Sequence, residues 1–209
     1  MFDFLNLKTK DDGQHYALLS IMNLANEHNY QSQHAIYVTR IALTLFDDLR
    51  KLHGLDEEDR FYLLCAGLLH DIGVNGNGKK KHHKRALQLI VNNNKLALSS
   101  QQRLVIGSIA RYHRKALPSK RHAHYRELSH QDRLIVSKLA AILRIADGLD
   151  YSHENRVKNV TAKYDDETIV ITCSTNHNKI NREIRSATKK SDLISLIFQR
   201  DVQYELDSD

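Results

Sequence analysis

Leu139-Ala140-Ala141-Ile142-Leu143-Arg144-Ile145-Ala146-Asp147-Gly148-Leu149 puts apolar side chains on nearly every face of the helix it predicts. A helix that is hydrophobic all round belongs at the centre of a fold. An ionised carboxylate there is costly unless it is paired or bound to a metal. Asp147 therefore has two readings, an i,i+3 partner for Arg144 or a ligand. Outward from this segment the apolar spacing stays helical from Tyr16 to about Asn155. Residues 31–53 set Ile36, Val38, Ile41, Leu45, Leu49 and Leu52 at mostly helical steps, and Gly54 follows as a stop. Asp56 reads as the N-cap of a helix over 57–72, ended by Gly73. A loop rich in Gly, Asn and Lys covers 74–81, and helix resumes near His82 and runs to about Asn93. Ser99 and Gln102 have capping-box spacing for a helix reaching about His113. Residues 114–127 are basic, hold the single proline Pro118, and read as a loop before a helix over 129–149.

Past Asn155 the pattern changes. Two β-branched runs, 157–163 and 168–173, flank Asp165-Asp166 and predict a hairpin. Residues 178–198 read as helix with a break near Lys189, and 202–206 as a last strand. The expected fold is mostly α, with a helical domain over 1–156 and a small α/β C-terminal subdomain over 157–209.

Composition narrows the class further. The 209 residues are 41% hydrophobic and 27% charged, ordinary globular values that exclude disordered, collagenous and coiled-coil chains. No run of about 18 apolar residues predicts a membrane span, and Met1 to Lys10 lacks the pattern of a secretory signal. Cys65 and Cys173 lie inside apolar runs, as buried thiols do in a reducing compartment, so a cytoplasmic protein is expected. The net charge of +6 is too small to name a partner by itself. Thirteen histidines are many for this length and prompt a search for metal ligands.

His70-Asp71 closes the apolar run Phe61-Tyr62-Leu63-Leu64-Cys65-Ala66-Gly67-Leu68-Leu69. With 13 His and 17 Asp in the chain, about one such dipeptide arises by chance, so its setting matters more than its occurrence. Two polar residues ending a buried helix must find partners or ligate something. His34, His82, His83 and His113 are the other candidates; any one alone reads more simply as a hydrogen-bonded or surface ring. Their order, with Asp147 on the next helix, suits one or two divalent transition ions such as Mn, Fe, Co or Zn.

The pattern His34…His70-Asp71…His83…His113…Asp147 resembles the HD superfamily of metal-dependent phosphohydrolases. The span from about Gln33 to Glu154 is most similar to the C-terminal HD domain of the exopolyphosphatase and guanosine-pentaphosphate phosphatase family. The resemblance rests on Leu69-His70-Asp71-Ile72-Gly73, His82-His83-Lys84, Ala110-Arg111-Tyr112-His113-Arg114-Lys115 and Leu143-Arg144-Ile145-Ala146-Asp147-Gly148-Leu149-Asp150. Lys190-Ser191-Asp192-Leu193-Ile194 echoes that family's ending more weakly. The resemblance implies that His34, His70, Asp71 and Asp147 hold a first ion, with Asp71 bridging to a second on His83 and His113. His83 is preferred over His82 because Ala86 and Leu89 follow it at suitable spacing. Arg85 stands where the related pattern has a further histidine.

By the same resemblance, a phosphate ester would be attacked by metal-activated water beside Asp71. Arg114 and Lys115 would hold phosphate charge, and Arg144 would orient Asp147 or touch substrate. Lys79-Lys80-Lys81 reads as a solvated loop or as an attractor of polyanions. About 33 residues precede His34, so the family's actin-like module and its exopolyphosphatase activity are not expected here. The expected function is hydrolysis of a phosphorylated small molecule or nucleotide. The rival is a non-catalytic module binding polyphosphate or RNA through Arg111, Arg114, Lys115, Lys120 and Arg121. A third, structural reading leaves the histidines as ordinary core and surface residues. A homodimer remains open, and no membrane partner is expected.

Overall fold

The computed structural model describes residues 11–28, 32–74, 80–176 and 180–207. Eight helices come first: α1 (Asp12–Glu27), α2 (Ser32–Asp48), α3 (Arg50–His53), α4 (Glu57–Leu69), α5 (His82–Val91), α6 (Ser100–Tyr112), α7 (Ala123–Glu127) and α8 (His130–Leu149). A hairpin of β1 (Asn159–Tyr164) and β2 (Thr168–Ser174) follows, then α9 (Asn181–Lys190), α10 (Asp192–Phe198) and β3 (Asp201–Leu206). The fold is mostly α with a small α/β portion at its C-terminal end, as the sequence patterning implies. Among the described residues no helix is long and apolar enough to cross a membrane.

Local chemistry sets the helix starts. The Asp56 carboxylate accepts the Glu58 and Asp59 amides while Asp59 accepts the Asp56 amide, and Glu57, Glu58 and Asp59 put acid where the helix dipole favours it. Ser99 and Gln102 form the capping box their spacing predicts. Helix α8 is the centre: residues from Val136 to Leu149 are mostly buried, and it packs against α2, α4, α6, α9 and α10. One hydrophobic cluster runs from Ala17 through Leu139 and Val157 to Ile194.

Three boundaries differ from the sequence reading. Residues 114–127 are not all loop, because Tyr125 buries its ring against the core and pairs its hydroxyl with Ser137 at 2.8 Å, which anchors the single turn of α7. The helix expected over 57–72 ends at Leu69, where His70 caps it. The expected helix over 31–53 divides at Leu49 into α2 and α3. Residues 177–179, where the tail helix was expected to begin, and most of the loop 74–81, including Lys79, lie outside the described residues, as does Met1 to Lys10.

In the tail, β2 lies between an antiparallel β1 and a parallel β3. A parallel pair needs a crossover connection, and α9 with α10 supply it. That crossover lies on the central helix. A Cβ added to Gly148 of α8 would lie 2.6 Å from the Cα of Ala187 in α9, so the two backbones meet at a residue with no side chain.

His53 ends α3 fully buried, with Nε2–H donating to the Phe46 carbonyl at 2.8 Å and Nδ1 accepting the Leu55 amide at 2.9 Å. Both nitrogens are used by a neutral ring, and burial lowers its pKa. The unfolded ring titrates near 6.5, so its contribution is complete above that pH and is lost as pH falls below it towards the lower folded value. The parent should therefore lose more stability than His53→Gln between about pH 7.5 and about pH 5.5. Urea midpoints at the two pH values test this, and equal losses would refute it.

Candidate metal centre

Helices α4 and α6 both end on histidine. His70 and His113 occupy the C-cap positions, and each ring turns back on its own helix, Nδ1 lying 2.7 Å from the carbonyl oxygen of Gly67 or Ala110. The last carbonyls of a helix lack intrahelical partners, and each ring satisfies one of them. A carbonyl only accepts, so Nδ1 carries the proton and the neutral ring keeps its lone pair on Nε2. His34, in the first turn of α2, is held in the same sense by the fully buried Asp150, whose Oδ2 lies 2.7 Å from Nδ1. The other oxygen of Asp150 accepts the Asn155 amide at 3.0 Å. Three imidazoles thus have Nδ1 anchored by an acceptor, the orientation that frees Nε2 for a ligand.

The freed nitrogens meet two carboxylates. Asp147 Oδ1 lies 3.4 Å from His34 Nε2 and 3.8 Å from His70 Nε2. Asp71 Oδ1 lies 2.9 Å from His82 Nε2 and 3.5 Å from His113 Nε2, and those two nitrogens are 3.2 Å apart. Among the described residues His34, His70 and Asp147 form one group of convergent ligand atoms, and Asp71, His82 and His113 another. His70 Nε2 is 3.9 Å from Asp71 Oδ1, so the dipeptide joins the two. Ligand bonds of ~2.0–2.2 Å place neighbouring donors roughly 3.0–3.6 Å apart around one ion. The donor types and most separations fit divalent ions in both groups.

Electrostatics agree with that use for the two carboxylates, His70 and His113, and oppose it for His34, which keeps a proton that an ion would displace. Burial works to raise Asp147, but the Lys190 ammonium and the His34 ring hold it well below the usual carboxylate range. Burial likewise opposes ionisation of Asp71, and His70, His82 and His113 outweigh it. His70 and His113 are pushed towards the neutral, ligand-competent form by burial. For His34, burial is outweighed by Asp147 and Asp150, which carry its pKa up to about 9.

The family model for Ppx/GppA phosphatase, domain III, matches residues 18–194. The chain belongs to that family. No curated protein matches it. The Ppx/GppA domain III match begins in α1 and ends in α10, so it takes in the tail segment 190–194 as well as the helical portion.

Within this Ppx/GppA domain the structure brings together five of the six residues chosen as metal ligands, His34, His70, Asp71, His113 and Asp147. The sixth choice, His83, is in neither group: it is His82 whose Nε2 faces Asp71 and His113. Successive helical residues point about 100° apart, so the two buried rings are aimed in different directions. Ala86 lies within a turn of both, which is why spacing did not separate them. Gly73 packs against this turn, its missing Cβ only 2.1 Å from the His82 carbonyl oxygen. Arg85 braces the same turn, Nε donating to the Gly73 carbonyl at 2.6 Å and Nη1 to that of Lys80 at 2.7 Å.

The structure places Arg144 with partners other than Asp147. Nη2 bonds both oxygens of Asp192 at 2.7 and 2.9 Å, and Nη1 donates to the Tyr112 carbonyl at 3.1 Å. Its part is to tie α10 to the end of α6, beside His113. Arg114 is partly buried within electrostatic reach of His83, and Lys115 is exposed with φ 65°.

Sequence reasoning assigned no part to Asp150, Lys190 or His153. Lys190, at the end of α9, pairs with Oδ2 of Asp147, and the His153 ring stacks on His34 at 3.7 Å. Asp150 and Lys190 stood inside quoted motifs, but only the approach of α2 and of α9 to the end of α8 reveals what they touch.

Proposed function

We propose that this Ppx/GppA domain is an HD-type phosphohydrolase that depends on divalent metal and cleaves a phosphate ester or nucleotide. The observation that carries the reading is the convergence of four histidine Nε2 atoms on Asp71 and Asp147, three of them on rings whose Nδ1 is held by an acceptor. His34, His70 and Asp147 would hold one ion, and Asp71, His82 and His113 a second. An ion bound there supplies a Lewis acid for a phosphoryl oxygen and makes a water nucleophilic near neutral pH. The chain does the rest. Asp150 and the carbonyls of Gly67 and Ala110 hold the rings in place before substrate arrives, so no reorganisation is needed at the moment of reaction. Lys190 neutralises the outer oxygen of Asp147, and with Arg114 it offers positive charge for phosphoryl oxygens.

The test is metal analysis of protein purified without chelators, paired with phosphate release from nucleotides, cyclic dinucleotides and phosphomonoesters. Bound transition metal and chelator-sensitive release are expected. Inert metal-replete protein across that panel would overturn the enzyme reading. Asp150→Asn should weaken metal affinity about 10–100-fold, the usual effect of losing a carboxylate behind a ligating histidine. A competition titration against a coloured chelator measures it, and unchanged affinity would remove Asp150 from the centre.

One observation favours a second reading, a metal-free module that binds polyphosphate or RNA: the Lys190 ammonium already serves Asp147 as an internal counter-cation. That reading predicts steeply salt-dependent polyanion binding without turnover and protein that purifies without metal.

A further inference from the structure

Beside the metal centre, α5, α6 and α7 carry a second cluster that the chemistry above does not use. Arg111, two residues before His113, is only 4% exposed. Its guanidinium makes no hydrogen bond or ion pair with any described residue, and Nη1 is fully buried without a partner. Its Cζ lies 5.5 Å from the centroid of the Tyr112 ring. Around it lie His83, with Nδ1 buried and unpartnered, and His124, with Nε2 in the same state. His122 and His124 stack on each other at 5.8 Å and pack against Tyr112, whose hydroxyl is 2.8 Å from His122 Nδ1.

The charges acting most strongly on His83, His122 and His124 come from Arg111, Lys84, Arg114 and neighbouring imidazoles, with no carboxylate among them. That imbalance is unusual. Buried charges are normally paired, and a buried guanidinium with idle donors, ringed by imidazoles with idle nitrogens, lacks an anion. Planar N–H donors suit a tetrahedral oxyanion.

We propose that Arg111, His83 and His124 form a phosphate subsite that holds a non-reacting phosphate of the ligand beside the metal centre. The site builds on the phosphohydrolase reading, since His83 adjoins His82 and Arg111 lies one short step before His113. Two of its three residues, His83 and Arg111, are therefore carried on α5 and α6, the helices that present His82 and His113. Arg111 is then a residue kept at a cost in stability, because its charge is satisfied only when ligand is present.

The experiment separates this site from the metal. Thermal unfolding is followed in excess chelator, with inorganic phosphate against sodium chloride at matched ionic strength, and pyrophosphate binding is measured by calorimetry. Phosphate should raise the melting temperature of the parent by about 5 °C in a dose-dependent way. Arg111→Met should melt at or above the parent without phosphate, show no phosphate-dependent rise, and bind pyrophosphate at least about tenfold more weakly. His124→Gln, a milder change, should lose part of the rise and serves if Arg111→Met does not fold. Equal phosphate shifts in parent and variants, or a parent that responds no more to phosphate than to chloride, would overturn the subsite. Because no turnover is needed, an inert protein that still shows the Arg111-dependent shift would lose the enzyme reading and keep this one.

Discussion

Asp71→Asn is expected to lower metal-dependent phosphate release by at least about a thousandfold, well beyond the 10–100-fold typical of residues behind the ligands. Asp71 Oδ1 is the one carboxylate oxygen that faces His82, His113 and His70 together, at 2.9, 3.5 and 3.9 Å. The amide keeps its volume and removes its charge. The imidazole nitrogens 3.2 Å apart would then lack an anionic partner, and a divalent ion would be held there by neutral donors alone. Metal content should fall in parallel, by up to one ion per chain, while circular dichroism stays that of the parent. Near-parental turnover in this variant would show that the reaction does not run through these residues. Loss of turnover with metal content unchanged would place Asp71 in the chemistry rather than in binding.

Gly148→Ala should destabilise the fold by about 3 kcal/mol, the upper part of the usual range for overpacking. Its neighbours explain the size. The added Cβ meets the Cα and amide nitrogen of Ala187 at 2.6 and 2.8 Å, and backbone atoms cannot swing aside as a flexible side chain would. α9 must therefore move off α8, and with it Lys190, which pairs with Asp147 one residue from the substitution. For a chain of this size the melting temperature should drop by about 6–12 °C, and any activity should fall with it as Asp147 loses its partner. Differential scanning calorimetry checks the first effect. A variant as stable as the parent would mean that α9 is not pressed against the central helix.

The Gly148 contact marks where sequence reasoning stopped. The glycine was visible in Ala146-Asp147-Gly148-Leu149, but nothing local shows that a helix some forty residues later lies on it. The same holds for Arg144. Its spacing from Asp147 suits an i,i+3 pair, yet such surface-type pairs contribute only a few tenths of a kcal/mol, and the bidentate Asp192 carboxylate with the Tyr112 carbonyl outcompetes it. His82 and His83 show the limit in another way. Neighbours on a helix share almost all of their sequence context, and only the direction from which Asp71 arrives separates them.

By itself the sequence determined what depends on neighbours within a turn or two. This includes the apolar character that makes α8 central, the capping boxes at Asp56 and Ser99, the hairpin around Asp165-Asp166, and the order of His34, His70-Asp71, His113 and Asp147 that identifies the family. Tertiary structure alone decided what depends on elements distant in the chain. It turned His82 rather than His83 towards Asp71, gave Arg144 to Asp192, set Asp150 behind His34, brought Lys190 to Asp147, and left Arg111 without a counter-ion among the described residues. The reason is range: caps and periodicity are written in hydrogen bonds and side-chain spacing a few residues long. The partner of a buried charge is whichever group packing delivers within about 3 Å, and packing is a property of the whole chain.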